Sequence, residues 1–180
     1  MSLKGFDISI FKNSKPPKNS SLKTLKEIQE LAKVKHDPGF VKKCDDQHKC
    51  FVDLARSKGI EIDQKELNEL IGQSADIVMK LKTHFNRPRP KVLAKEYGIP
   101  LVVVELKTMK TPSYPSGHSA QSRMLGRLYA DRYKDNDFML LANDISFSRN
   151  VAKCHYASDS RSGERLGDSM YKFIKSNAKK

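Results

Sequence analysis

The chain has no tryptophan, three cysteines and nine glycines among 180 residues. It also lacks any uninterrupted apolar run approaching the roughly 18 to 20 residues that a membrane span requires. The longest candidates are Ile99 to Val104 and the stretch around Phe138 to Ala142, so no transmembrane segment is expected. Cys44, Cys50 and Cys154 are odd in number and form no recognised disulfide framework, which favours free thiols in a reducing compartment. Cytoplasm is therefore the default localisation. The stretch from Phe6 to Phe11 is broken by Asp7 and Ser9 and followed by Lys12 and Lys15, unlike the apolar core of a secretory signal. Export after removal of a leader stays open. The segment Cys44 to Cys50, which includes His48, lacks the CxxC or HxxxH spacing of a zinc site, so no metal ligands are assigned.

Composition that is 38% hydrophobic and 31% charged suits one compact domain with a real core and excludes a disordered chain. The formal charge of +13 is compatible with nucleic acid, an anionic membrane surface or small anionic substrates. The lysines are scattered, without the aromatic interleaving used to stack bases, so a small phosphorylated substrate is favoured over nucleic acid. Oligomeric state stays open, a homodimer included.

Residues 12 to 21 are polar and contain two prolines, so residues 1–21 are expected as a flexible arm and 22–180 as the packed domain. Leu22, Leu25, Ile28, Leu31 and Ala32 recur at helical spacing, and Val52, Leu54 and Ala55 suggest a short helix ending near Gly59. Asp63 followed by Glu66 has capping-box character and opens a long helix over about 64 to 85, stopped by Arg87-Pro88-Arg89-Pro90. Leu101 to Val104 is β-branched and reads as a short strand or a buried extended segment. Helical patterning returns over about 117 to 134, 137 to 152 and 158 to 176. The expectation is an all-α, single-domain helical bundle with its chemistry at helix ends and connecting loops.

Three short segments carry that chemistry. In the first, Lys82 and Arg89 offer a compact ammonium and a planar fork for two oxygens of one phosphate, with Lys80 and Arg87 as a second register of equal spacing. In Pro115-Ser116-Gly117-His118, Gly117 lets backbone approach a ligand. Ser116 caps the next helix, and His118 in its first turn suits a general acid that protonates an alkoxide leaving group. In the third, Ser148-Arg149 is followed by His155 and Asp159. If the last two share a helical turn, the carboxylate fixes the imidazole tautomer while the other nitrogen attacks phosphorus, and Arg149 balances the equatorial oxygens. Taken singly, each segment also reads as an ordinary capped helix end or a structural His–Asp pair. All three in one order outweigh that reading.

These residues resemble the type 2 phosphatidic acid phosphatase superfamily, which includes bacterial class A acid phosphatases, lipid phosphatases and vanadium haloperoxidases. Its pattern KX6RP, PSGH and SRX5HX3D stands complete here, over roughly residues 64 to 170. The stretch Thr111 to Ser119 is similar to the class A signature GSYPSGHT, with Pro112 in place of its Gly and Ser119 in place of its Thr. The resemblance favours the Lys82/Arg89 register. It implies His155 as nucleophile, Asp159 as its partner, His118 as general acid, and Lys82, Arg89, Ser116, Gly117 and Arg149 as the phosphate cradle. It further implies an all-α fold, close packing at Gly163 and Gly167, no cofactor, and vanadate as an inhibitor.

The expected activity is a metal-independent phosphomonoester hydrolase for small soluble esters, with a bell-shaped pH dependence. A peripheral lipid phosphate phosphatase and a non-catalytic phosphate or nucleic-acid binding module are the alternatives. Pocket walls are expected from the N-terminal third and the 91 to 114 connection.

Overall fold

In the computed structural model, which describes residues 1–178, the chain folds as nine α-helices with no strand among the described residues. They are α1 (Ser9–Lys12), α2 (Leu22–Lys33), α3 (Pro38–Asp45), α4 (Gln47–Ser57), α5 (Gln64–Phe85), α6 (Pro90–Glu96), α7 (Gly117–Tyr133), α8 (Asp137–Val151) and α9 (Ala157–Asn177). The all-α expectation holds. None of these helices is long and apolar enough to cross a membrane.

The long helices begin and end where elementary chemistry says they should. Asp63 caps α5 by accepting from the Lys65 and Glu66 amides. The box is only half made, since the Glu66 carboxylate turns away to accept from Arg132 at 2.7 Å. Asn86 ends α5 in the left-handed region at φ 46°, a conformation its short amide tolerates. Three helices went unforeseen: α1, inside the expected arm, and α3 and α6. The last two start with proline at the first turn, where its missing N–H costs nothing and its fixed φ is pre-set for a helix.

Helix α7 is the central element. Its Met124, Leu125, Leu128 and Tyr129 are buried against Phe138, Ala142 and Ile145 of α8, and against Leu166 and Met170 of α9. Each such side chain removed from water contributes roughly 1.5 to 3 kcal/mol before entropy is counted. Close approach of α9 to α7 depends on glycine. A Cβ at Gly163 would lie 2.4 Å from the Ser116 carbonyl oxygen, and one at Gly167 2.4 Å from that of Ala120. Gly163→Ala is therefore expected to lose about 1 to 3 kcal/mol of stability despite the better helix propensity of alanine. A urea midpoint equal to that of the wild type would overturn this account of the contact.

Two connections differ from expectation. Leu101 to Val104 forms no strand; Val104 donates to the Ala152 carbonyl at 3.1 Å, but Val102 is 65% exposed. A β-branched run with no partner strand has no ladder to join. Residues 1–21 lie along the helices: Leu3 is buried in the main core, Phe6 meets Phe173 edge-on at 5.5 Å, and Tyr114 donates to the Ser14 carbonyl at 2.6 Å.

Candidate functional site

The three motif segments converge on one cavity of about 200 Å³ between α5, α7 and the loops before α7 and α9. Lys82, Arg89, Gly117, His118 and His155 line it, together with Ala75, Val78, Met79, Thr108, Thr111 and Gln121. Ser116, Arg149 and Asp159 stand behind the lining. The 91 to 114 connection supplies Thr108 and Thr111, whereas the remaining walls come from α5, α7, Arg89 before α6 and His155 before α9 rather than from the N-terminal third.

His155 precedes α9 rather than lying in it, and Asp159 sits in the first turn of that helix. Their pairing is thus a contact from a loop to a helix start, with Nδ1 of His155 3.3 Å from Asp159 Oδ2. Arg89 Nη1, which can only donate, lies 2.9 Å from His155 Nε2. Nε2 must therefore carry the lone pair and Nδ1 the proton. Burial pushes the imidazole down to about 3; the Asp159 hydrogen bond opposes this and the Arg89 and Lys82 charges reinforce it. The ring is neutral, and its unprotonated Nε2 meets Arg89 at the cavity.

Asp159 is fully buried, and four donors hold it. Its Oδ1 accepts from Arg87 Nη1 at 2.6 Å, and its Oδ2 from the Tyr156 amide, from His155 and from the Ser113 hydroxyl. Burial alone would push the carboxyl up. The hydrogen bond from His155 and the Arg87 charge outweigh it, holding the group below the usual carboxylate range.

Arg87 continues the chain of contacts outward. Its guanidinium stacks 3.8 Å over the Tyr156 ring, and its Nη2 reaches Glu27 Oε2 of α2 at 3.3 Å. Glu27 in turn accepts from the Ser158 amide and hydroxyl at the start of α9. Glu27 and Ser113 had no motif to announce them, and Arg87 was visible only as the rival register. The structure separates the two registers. Lys80 is exposed and Arg87 faces the back of Asp159, while Lys82 and Arg89 line the cavity.

Arg89 is braced by backbone. It donates to the carbonyls of Thr111 at 2.8 Å, Thr108 at 2.9 Å and Cys154 at 2.8 Å. Lys82 donates to the Pro112 carbonyl, and burial with the neighbouring Arg89 charge pushes its ammonium down to about 7. Ser116 spends its hydroxyl on capping α7, accepting from the Ser119 amide at 3.3 Å. Gly117 opens that helix at the cavity wall, where its N-terminal amides carry partial positive charge.

His118 donates from Nε2 to the Asp45 carbonyl at 3.0 Å, so Nδ1 is the nitrogen able to take up a second proton. Burial, then the Arg149 charge, pushes this ring down to about 4. Arg149 itself is 1% exposed, gives Nη1 to Asp45 Oδ1 at 2.8 Å, and keeps Nη2 buried without a partner. Cys154, next to His155, is buried, and burial pushes its thiol up, away from the reactive thiolate. Among the described residues no group of three or more His, Cys, Asp or Glu side chains gathers as a metal site would.

Lys82 and Arg89, the N-terminus of α7 and two imidazoles, that of His155 neutral, surround a small cavity whose charge suits an anion. A sequence model of the PAP2 superfamily matches residues 67–167, more than half of the chain. The chain belongs to the PAP2 superfamily. The matched span carries all three motif segments and omits α1 to α4, from which Glu27 and Asp45 reach the site. Comparison with curated proteins returns no match. PAP2 superfamily membership brings phosphatase chemistry in general. It does not distinguish soluble from lipid substrates.

Proposed function

We propose that this PAP2 superfamily protein is a phosphomonoester hydrolase of the acid phosphatase kind, acting on small soluble esters through a phosphohistidine at His155. The observation that carries the reading is the orientation of His155, whose Nδ1–H is held by a buried carboxylate while Nε2 meets Arg89 at the cavity. Nε2 attacks phosphorus in line with the departing ester oxygen, forming an N–P bond as the P–O bond breaks. Asp159 stabilises the cationic ring. Lys82, Arg89, the α7 N-terminus and Arg149 balance the charge on the equatorial oxygens, which is the work a metal does elsewhere. His118 gives a proton to the leaving alkoxide, then takes one from the water that cleaves the N–P bond, releasing inorganic phosphate.

Turnover of an aryl phosphate is expected to survive excess chelator and to be blocked by vanadate, which mimics the five-coordinate phosphorus. The pH profile follows from the two rings, and the bell expected of ordinary histidines moves to acid. His155 must be neutral and His118 protonated, and both values are pushed down in the free protein, to about 3 and about 4. Log kcat/KM should thus fall with rising pH above about 4. The kcat profile should hold to higher pH, because a bound phosphoryl dianion favours the charged form of His118. A kcat/KM flat from pH 4 to 7 would remove His118 from the acid role.

The apolar wall of Ala75, Val78 and Met79, with Met79 39% exposed, favours a second reading, a lipid phosphate presented at a surface. Exclusive turnover of vesicle-borne phosphate over its water-soluble headgroup ester would select it.

A further inference from the structure

Asp45, the last residue of α3, carries no motif signal and lies outside the span matched to the PAP2 superfamily. Yet it touches two of the groups on which catalysis depends. Its carboxylate holds Arg149 Nη1 at 2.8 Å, and its carbonyl accepts from His118 Nε2 at 3.0 Å. The same carboxylate stands 3.8 Å from His118.

Arg149 is buried, absent from the cavity lining, and has one guanidinium nitrogen with no partner. It is nevertheless near enough for its charge to act on both His118 and Arg89, which do line the cavity. A buried guanidinium donor left unsatisfied is destabilising, and a phosphate oxygen beside it would satisfy it. The Asp45 carboxylate is half-exposed, with 42% of its side chain reaching solvent, so letting go of Arg149 returns it to water at small cost.

We propose that Asp45 is a positioning residue that acts as a latch: it holds Arg149 aside in the free protein, yields that arginine to an incoming phosphoryl group, and orients His118 through its carbonyl throughout. The latch rests on the reading of the cavity as a phosphate-ester site. It gives the enzyme a means of releasing product, because the carboxylate competes with inorganic phosphate for the same guanidinium. The charged groups that face His118 are Asp45 at the end of α3, Arg149 on α8 and Lys82 on α5, of which only Asp45 favours its protonation.

The test is Asp45→Asn beside Asp45→Glu and wild type, with inorganic phosphate as the probe. Binding is measured by calorimetry at pH 7, and the His118 ring is titrated by NMR in the free proteins. Asp45→Asn is expected to bind phosphate about fivefold more tightly, the scale of one partly exposed ion pair. It should titrate His118 at lower pH, since a favourable negative charge has gone. Asp45→Glu should restore both values toward wild type. A purely structural role for this corner would instead weaken phosphate binding and leave the His118 titration in place. Equal or weaker phosphate binding by Asp45→Asn, with wild-type binding intact, would overturn the latch while the phosphatase reading stands. No phosphate binding by either protein would overturn both.

Discussion

His155→Ala is expected to lower kcat for an aryl phosphate by at least about four orders of magnitude while leaving the fold intact. A covalent nucleophile has no substitute within reach: of the other nitrogen bases lining the cavity, Lys82 is turned to the Pro112 carbonyl, and His118 gives Nε2 to the Asp45 carbonyl and keeps Nδ1 for proton transfer. Residual rate should come only from charge stabilisation by Lys82 and Arg89, which binds the transition state without offering a bond to phosphorus. The matching variant separates the two histidines. His118→Ala should slow an alkyl phosphate by about 10² to 10⁴-fold, because the alkoxide leaves unprotonated, but an aryl phosphate far less in its first step. In that variant the phosphohistidine should accumulate, since the water that cleaves it has lost its base. Protein quenched in alkali, where an N–P bond survives, would show N-linked phosphate in His118→Ala and none in His155→Ala. The reverse pattern would exchange the two roles.

How far the sequence foretold the molecule depends on whether the determining interaction is local. Helix α5 was legible because its apolar spacing, its Asp63 cap and the prolines beyond Phe85 all lie within one stretch. The cavity residues Lys82, Arg89, His118 and His155 were legible for a related reason: each sits at a helix end or in a tight loop whose short-range spacing fixes its direction. Pro90, which opens α6, could have been read as a first-turn residue, but a proline there also ends a helix, and local chemistry alone does not rank the two. The ring of residues behind the cavity was beyond reach. Glu27 meets Arg87 across 60 positions, Ser113 meets Asp159 across 46, and Asp45 meets Arg149 across 104. Such pairings follow from how α2, α3 and α9 pack, and no periodicity in one segment encodes the partner in another. The His155–Asp159 offset suggested a shared helical turn; the actual pairing spans a loop and a helix start, which the same spacing also permits.

Removal of the Arg87 guanidinium should produce the largest loss of stability from any single side chain at the site. The residue is 1% exposed and lies between two buried carboxylates, those of Asp159 and Glu27, at 2.6 and 3.3 Å. In Arg87→Met both acids keep their burial but lose their shared cation, and breaking a buried pair of this kind costs about 3 to 5 kcal/mol. The Asp159 carboxyl, now held below its usual range, should rise. Its contribution to stability is present above the unfolded value and lost as pH falls through the folded one, so the variant should lose stability at higher pH than wild type does. Catalysis suffers through the same atom, because a protonated Asp159 no longer stabilises a cationic His155. The double variant Arg87→Met with Glu27→Gln separates the two effects. Deleting the orphaned Glu27 charge should recover part of the lost stability in urea denaturation, whereas kcat/KM should stay low because Asp159 still lacks its guanidinium. An Arg87→Met protein that unfolds at the wild-type midpoint would show that Asp159 draws its support from Ser113, His155 and the Tyr156 amide alone. Recovery of kcat/KM in the double variant would make Glu27, not Arg87, the group that sets the Asp159 charge.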